Sequence, residues 1–181
     1  VLTLSNTFEI PQGKLMELVG TGGGILKLDN IIEVSGTLQF SAPDYTLQNG
    51  TLKLSRGLLD VDKNTIIASN ILLSDDSTVD IAKDVNLYYQ GLSIYINEYQ
   101  LTFLGSGTFS NSNSIVLSDP NSLLIFAGDI TILLIDVTGD SAAGKGIRVK
   151  SANARVTNLN FSATDPDLAN MGLTFSNGTL S

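Results

Sequence analysis

Apolar and polar residues alternate over short stretches of this chain, and these stretches recur at a regular interval between Leu26 and Ile125. One recurring phrase ends in Asn or Gly, at Asn30, Asn49, Asn70, Gly91 and Asn111. A second phrase has the form apolar-x-apolar and occurs as Leu38-x-Phe40, Leu59-x-Val61, Val79-x-Ile81, Leu101-x-Phe103 and Leu123-x-Ile125. Two columns that share a period of about 21 residues indicate a stacked repeat architecture.

Each period divides into three short strands. Alternation within each piece is the period-two pattern of a strand with one buried face, and helical spacing is not seen in this region. The first strand of each coil is predicted to point inward at Leu26 and Leu28, Tyr45 and Leu47, Ile66 and Ala68, Leu87 and Tyr89, and Gly107 and Phe109. The second strand is predicted to do so at Ile32 and Val34, Leu52 and Leu54, Ile71 to Leu73, Leu92, Ile94 and Ile96, and Ile115 and Leu117.

This pattern predicts an all-β fold, a three-sided parallel β-helix (β-solenoid) with about 21 residues per coil. A strict hexapeptide repeat, on which the left-handed form depends, is not present, and the variable coil length favours the right-handed form. The residues that close the first phrase mark a corner, where a sharp bend requires positive φ and therefore favours Gly or Asn. Their side chains are predicted to stack about 4.8 Å apart as a structural ladder of Asn30, Asn49, Asn70, Gly91 and Asn111.

Three regions follow from the register. Residues 1–24 are predicted to form an N-terminal cap or an irregular first coil, because terminal repeats of solenoids are atypical. Residues 25–135 form the regular coils, and residues 136–181 form looser coils with a loop insertion at 136–146. Within the last region, 165–171 is predicted to be a loop or one helical turn. The final residues echo 49–55, which suggests a fragment of a longer protein.

Composition narrows the possible functions. The chain has 181 residues, of which 43% are hydrophobic and 15% charged, so it can bury one sizeable core. Its formal net charge of −8 argues against nucleic-acid partners, and no apolar run suggests membrane insertion. Cys and His are both absent, which removes disulfides, thiol chemistry, and the commonest general base and transition-metal ligand. We expect no cofactor.

The two repeating columns resemble those of right-handed parallel β-helix proteins, a family that includes secreted pectin-active enzymes, phage tailspikes and the passenger regions of bacterial surface adhesins. The resemblance covers residues 26 to 135 well and the remainder loosely. It implies the fold more strongly than any activity. It also implies an extracellular or bacterial-surface location.

Two short segments are similar to catalytic motifs of the pectin-hydrolysing members, which carry an Asp-Asp pair and an Arg-Ile-Lys segment. Here the matching residues are Asp75, Asp76, Arg148 and Lys150. Paired carboxylates could protonate a glycosidic oxygen and activate water, while the cations hold a uronate. The family's Gly-His-Gly element is missing because the chain has no His. A lyase that uses Lys150 or Arg148 as its base is equally open.

Two other segments resemble ligand-binding motifs but lack residues that those motifs require. Gly139 to Gly146 resembles a P-loop, but Gly146 replaces the hydroxyl residue that binds Mg²⁺, and the residues after it have a strand pattern. Asp60 to Asn64 begins like a calcium loop, but Thr65 and Ile71 replace the required Gly and Glu. We expect polar corners at both places and no metal site.

Tyrosines provide a further candidate site. Tyr88 and Tyr95 are predicted to point outward, with Glu98 and Tyr99 at the next corner. Flat aromatic faces beside polar groups suit sugar rings. The alternative is that these tyrosines cover a sheet face or pack against a neighbouring chain.

The sequence as a whole favours a non-enzymatic structural or adhesive module of a larger bacterial surface or secreted protein. Its partner would be a glycan or a host surface protein, and lateral or end-to-end self-association is a further expectation. The alternative is a carbohydrate-active β-helix, either a polysaccharide hydrolase or lyase or a glycan-binding module.

Overall fold

The computed structural model describes residues 1–119, 121–133, 136–139, 146–151, 153–157, 160–163, 173–175 and 179–180. These residues form short strands and their connections, with no helix among them. Each strand pairs in parallel with the equivalent strand of the next coil. The predicted parallel β-solenoid is therefore confirmed.

The strands follow one another in a fixed order. The first coils contain β1 (Leu2–Leu4), β2 (Phe8–Ile10), β3 (Leu15–Leu18), β4 (Ile25–Leu28), β5 (Ile31–Val34) and β6 (Thr37–Phe40). The middle coils contain β7 (Tyr45–Leu54), β8 (Leu58–Val61), β9 (Thr65–Leu73), β10 (Ser77–Ile81), β11 (Asn86–Tyr89), β12 (Ile94–Tyr95) and β13 (Gln100–Gly105). The later coils contain β14 (Thr108–Asn111), β15 (Ile115–Leu117), β16 (Leu123–Phe126), β17 (Thr131–Leu133), β18 (Asp136–Gly139), β19 (Gly146–Val149), β20 (Arg155–Thr157), β21 (Asn160–Ala163), β22 (Leu173–Phe175) and β23 (Thr179–Leu180).

Strand pairing sorts these strands into three faces. Face A contains β1, β4, the first parts of β7 and β9, β11, β14, β17, β20 and β23. Face B contains β2, β5, the second parts of β7 and β9, β12, β15, β18 and β21. Face C contains β3, β6, β8, β10, β13, β16, β19 and β22. Register partners lie between 19 residues apart, as for Leu52 and Ile71, and 26 residues apart, as for Ile147 and Leu173.

The inward positions of the three faces form one continuous apolar core. Leu26, Leu47 and Ile67 occupy successive coils of one face A column, and each has no exposed surface. Aromatic rings fill the core farther along, where the Phe103 ring lies 4.6 Å from that of Phe109. Burial of successive large side chains in one column stabilises a solenoid, because each coil covers its neighbour.

Several inward residues differ from the sequence prediction. Ile66 and Ala68 point outward, and the buried residues of that strand are Thr65, Ile67 and Ser69. The reason is that Leu47 pairs with Ile67, and a shift of one residue moves a whole strand to the opposite face.

The second phrase also slips in register along face C. Val79 pairs with Phe103 rather than Leu101, and Leu101 pairs with Leu124 rather than Leu123. The slip arises because the connection from face B to face C lengthens from coil to coil, so apolar residues with the same spacing do not stay opposite one another.

The two ends of the chain differ in how much the structure describes. Residues 1–24 supply β1, β2 and β3, which lie in register with the second coil. Part of the predicted 136–146 insertion is strand, since β18 covers Asp136–Gly139 and β19 begins at Gly146. Residues 140–145 and the predicted turn at 165–171 lie outside the described residues.

Candidate functional site

A row of small polar residues runs along the corner between faces B and C. Each of them directly follows the last inward residue of a face B strand, as Ser55 follows Leu54 and Ser74 follows Leu73. The row consists of Ser35, Ser55, Ser74, Asn97 and Ser118. All five are partly exposed, so the row presents hydroxyl and amide groups along about 19 Å of the solenoid axis, at one strand spacing per step.

The same corner grows longer with each coil. The growth can be counted between two columns of residues that are in register from coil to coil. On face B the column consists of Glu33, Lys53, Leu72, Tyr95, Val116 and Thr138. On face C it consists of Thr37, Leu58, Thr78, Thr102, Ile125 and Arg148. The difference in residue number between the two columns is 4, then 5, 6, 7, 9 and 10. The connection from face B to face C therefore takes more residues at each successive coil.

Two depressions of about 320 Å³ each lie in line along this corner. The first is lined by Glu9, Gln12, Ser35, Ser55, Arg56 and Asp75. The second is lined by Leu73, Ser74, Asn97, Glu98, Tyr99, Ser118 and Asp119. Ser74 and Asp75 are consecutive and line one depression each, so the two depressions are neighbours along the corner. We call the combined feature the corner groove, and each half has a volume within the range of small-ligand sites.

Hydrogen bonds between coils hold part of the groove floor in place. The Ser118 hydroxyl accepts a bond from the Asn97 backbone N–H at 3.2 Å and donates one to Asn97 Oδ1 at 3.1 Å. Asn97 Nδ2 donates to the Leu73 carbonyl oxygen at 3.4 Å, and the Ser74 hydroxyl donates to the Leu54 carbonyl oxygen at 3.2 Å. These bonds fix the floor, because each of them joins two neighbouring coils.

At the other end of the floor, the serine hydroxyls are not used in hydrogen bonds between the coils that the structure describes. No hydrogen bond of the Ser35 or Ser55 hydroxyl is found among the described residues. Both hydroxyls are partly exposed and line the first depression. A free hydroxyl offers one donor and two acceptor positions to a ligand.

The groove walls are mostly acidic. Arg56 Nε donates to Asp75 Oδ2 at 2.8 Å, so the guanidinium is already paired. Asp76 Oδ1 accepts a bond from the Gln100 N–H at 2.9 Å and thereby holds the start of β13. The hydrogen bond to the Glu98 carboxylate, burial and the nearby carboxylates of Glu98 and Asp75 all raise the pKa of the Tyr99 phenol.

Two groove residues adopt a left-handed backbone conformation. Arg56 has φ of 63° and Asn97 has φ of 53°. This region is unfavourable for residues other than Gly, Asn and Asp, and such strain concentrates at functional sites. At Arg56 it lets the chain turn sharply between Ser55 and Gly57, where an added Cβ would collide with the Val34 carbonyl oxygen.

The four catalytic candidates do not meet in one site. Asp75 and Asp76 lie at the B/C corner of the coil that ends in β10, whereas Arg148 lies on β19, three strands farther along face C. Three strand spacings amount to about 14 Å. Both Arg148 and Lys150 are exposed. The cation beside the Asp pair is Arg56, which the sequence analysis did not single out.

The three candidate tyrosines lie on different surfaces. Tyr88 is on face A and 46% exposed, Tyr95 is on face B and 48% exposed, and Tyr99 lines the corner groove. Shallow depressions of about 200 Å³ and 130 Å³ flank Tyr88. Exposed Leu72 lies in register with Tyr95, so this part of face B is apolar.

The residues of the predicted ladder do not occupy one column. Asn70 lies opposite Thr51, and Asn111 lies opposite Tyr89. Of the five ladder residues only Asn49 has a left-handed backbone, with φ of 61°. The repeated phrase therefore recurs in the sequence at positions that differ in the fold, because a bulge follows Gln48 and corner lengths vary.

Individual ladder residues still join neighbouring coils. Asn70 Oδ1 accepts a hydrogen bond from the Leu92 N–H at 3.1 Å, and the Asn30 carbonyl oxygen accepts one from the Thr51 N–H at 3.1 Å. Gly91 is required by crowding, since an added Cβ would collide with the Tyr89 hydroxyl and the Ser69 carbonyl oxygen.

Tyr89 explains why Leu92 is not inward as predicted. The Tyr89 hydroxyl donates to the Leu92 carbonyl oxygen at 2.6 Å and accepts from the Ile71 N–H at 3.2 Å. This phenol occupies the corner where the Leu92 side chain was expected, and Leu92 is 66% exposed. Burial raises the pKa of Tyr89 to about 12.

Of the two segments that resemble calcium-loop and P-loop motifs, only Asp60 to Asn64 lies wholly within the described residues. No group of three acidic residues there is arranged to hold a metal ion. Gly146 begins a strand, which agrees with the strand pattern expected after the P-loop-like segment. Most of the loop before Gly146 lies outside the described residues. The described part of the chain also has no helix of the length and hydrophobicity needed to span a membrane.

Comparisons with protein-family models, with curated proteins and with solved structures found no match to this chain. The residues of the corner groove were detectable in the sequence, since four serines each follow an apolar strand end. These serines do not form a regular repeat in the sequence, because the corner lengthens from coil to coil and the interval between them varies.

Proposed function

We propose that this chain is a non-enzymatic adhesive module, a section of the β-solenoid of a larger bacterial surface or secreted protein, and that it binds glycan in the corner groove. The observation that carries the proposal is the groove itself, which follows the axis and has a hydroxyl or amide residue on its floor in five successive coils. A floor of this kind suits an extended ligand with repeated hydroxyl groups, because each coil offers similar partners.

Two features support binding rather than chemistry. The acidic and basic residues with a catalytic counterpart are separated by three strands. The floor residues with cross-coil hydrogen bonds are rigid, and a preformed site loses little conformational entropy on binding. Extracellular localisation is part of the proposal and is supported by the resemblance to surface solenoids.

Binding should be tested with immobilised polysaccharides and with a glycan array. We expect the double variant Ser35→Val and Ser55→Val to bind at least tenfold more weakly, because it removes two hydroxyls without a known structural partner. The control is Thr46→Val with Thr78→Val, which also removes two hydroxyls, at outward positions of faces A and C. Equal binding by both double variants would place the ligand elsewhere.

The tyrosine surface is the competing binding site, and the two depressions beside Tyr88 favour it. Substitution of Tyr88 and Tyr95 by Ala should leave binding unchanged if the groove holds the glycan. A loss of binding in those variants, with no loss in the serine variant, would show that the glycan binds on faces A and B.

An enzymatic role is the second candidate function, and the position of Asp75 in the groove favours it. A hydrolase would release new reducing ends from a bound polysaccharide, and a lyase would release unsaturated products. Prolonged incubation with each bound polymer should release neither. Product formation that Asp75→Asn abolishes would show that the groove is catalytic.

A further inference from the structure

The charges around the corner groove are the feature from which a ligand class can be argued. Its lining includes the carboxylates of Glu9, Asp75, Glu98 and Asp119 and one cation, Arg56. Asp76 adds a further exposed carboxylate beside the groove. The whole chain carries a formal net charge of −8, so the local excess of negative charge is not offset by the rest of the molecule.

The single cation is poorly placed to recognise an acidic sugar. Arginine usually reads a carboxylate through parallel hydrogen bonds from its guanidinium group. Arg56 already donates from Nε to Asp75 at 2.8 Å, and an incoming carboxylate would have to compete with Asp75. Most of the Arg56 side chain is nevertheless exposed, so its remaining N–H groups can donate to neutral oxygens.

We infer that the corner groove selects an uncharged glycan chain lying along the solenoid axis and discriminates against polymers of uronic acid. This inference rests on the proposed glycan-binding function. The floor supplies neutral donors and acceptors in five successive coils, whereas the carboxylates that line the groove repel anions. It separates this chain from the uronate-binding role that the Asp75-Asp76 pair and the Arg148-Val149-Lys150 segment suggested.

The test uses polymers that differ in charge alone. Polygalacturonate and alginate are each compared with their carboxyl-reduced forms, alongside neutral mannan and β-glucan, in the presence of a chelator that prevents calcium bridging. We expect the reduced polymer to bind at least tenfold more tightly than its parent at low salt. The difference should shrink in high salt, because screening weakens charge repulsion.

A pair of charge-matched variants locates the effect. Glu98→Gln with Asp119→Asn removes two carboxylates from the groove, and Glu17→Gln with Asp84→Asn removes two exposed carboxylates outside it. The groove variant should bind the uronate polymers at least threefold more tightly than wild type, and the outside variant should not. Both variants change the net charge equally, so a difference between them is due to the position of the removed carboxylates.

The outcomes are distinguishable. Uronate binding as tight as that of the reduced polymer, or an equal gain in both double variants, would overturn the selectivity and leave glycan binding intact. Failure of every polymer, neutral and acidic, to bind would overturn the proposed function itself and this inference with it. Far-UV circular dichroism of each variant shows whether the fold is retained.

Discussion

Single residues at the A/B corner decide how adjacent coils fit together. The Tyr89 hydroxyl bridges two backbone segments, and Gly91 leaves the space that this hydroxyl needs. Neither role could be predicted from the sequence, because the repeat gives Tyr89 the appearance of an ordinary core residue and Gly91 that of a left-handed turn. The difference lies in a side-chain contact between coils, which a one-dimensional pattern does not specify.

Gly91→Ala should destabilise the fold by about 1–3 kcal/mol, because the added methyl forces the Tyr89 ring or the backbone of Ser69 to move. Urea unfolding monitored by circular dichroism measures the change. Gly20→Ala is the control, since its Cβ would meet only the Ala42 Cβ at an ordinary 3.6 Å. Equal stability of the two variants would contradict the crowding described at the corner.

Alkaline pH should weaken the fold through Tyr89. Because its folded-state pKa of about 12 lies above the usual 10, the neutral phenol is favoured in the fold. That stability is complete below pH 10 and is lost as the pH rises from 10 through 12. Tyr89→Phe should unfold more easily at pH 7, by about 1–3 kcal/mol, and should lose less stability over this pH range.

The matched control for this pH dependence is Tyr88→Phe. Tyr88 is the adjacent residue but is 46% exposed, so its hydroxyl has no buried partner to lose. We expect the same alkaline profile in this variant as in wild type. A flattened profile in Tyr88→Phe would assign the effect to exposed tyrosines.

At the level of elements, the sequence predicts the strands well and the lengths of the corners poorly. The period-two alternation predicted all three faces and most inward residues, since burial of one face is strongly specified. The face C register beyond Val79 was wrong because corner length is set by residues such as Glu98 and Asp119, which carry no hydrophobic signal. The groove is built from those same residues, so the sequence predicted no groove, although it drew attention to three of its lining residues, Asp75, Glu98 and Tyr99.

Leu101→Asp tests the assignment of β13. Leu101 is 1% exposed, and an unpaired charge at that position should reduce stability by several kcal/mol and unfold the domain. Its neighbour Thr102 points outward, so Thr102→Asp should change stability by less than about 1 kcal/mol. Thermal and urea unfolding measure both, and similar effects would show that the faces are reversed.

Face C also contains an acidic pair that should weaken the fold. Asp60 and Asp80 lie directly opposite each other on β8 and β10, and burial followed by the charges of Asp62 and Asp80 raises the pKa of Asp60. Asp60→Asn should therefore stabilise the protein at pH 7 by up to about 0.5 kcal/mol after solvent screening.

The sign of this effect fixes its pH dependence. A raised pKa means that the fold favours protonated Asp60, so the wild type is stabilised below its ordinary pKa and loses that stability as the pH rises through the folded value. The gain from Asp60→Asn should accordingly vanish near pH 3. Asp29→Asn, at an exposed position, is the control, and an equal gain there would point to net charge alone.

The molecule as a whole is a stack in which each coil depends on its neighbours. Among the described residues β1, β2 and β3 pair along one edge only, and the inward side chains of Leu2 and Phe8 are 58% and 43% exposed. An unpaired edge with apolar side chains is a site for association. The 181-residue chain in solution is expected to associate through this edge as its concentration rises.

Light scattering over a concentration series tests that expectation. Phe8→Lys should lower the average mass of the associated species, because a charge at an inward edge position opposes pairing. Thr3→Lys adds the same charge to an outward position of β1 and should have little effect. Association that is unchanged by Phe8→Lys would exclude this edge and direct attention to the faces.

The lengthening of the B/C corner gives the groove a direction. From the registered position on face B to that on face C, the residue number rises by 4 across the corner that contains Ser35 (33 to 37) and by 9 across the corner that contains Ser118 (116 to 125). A polysaccharide is itself directional, with chemically distinct termini. If it binds in the corner groove as proposed, its sugars meet short corners at one end and long corners at the other, so reversing the polymer changes these contacts and the two orientations should differ in energy.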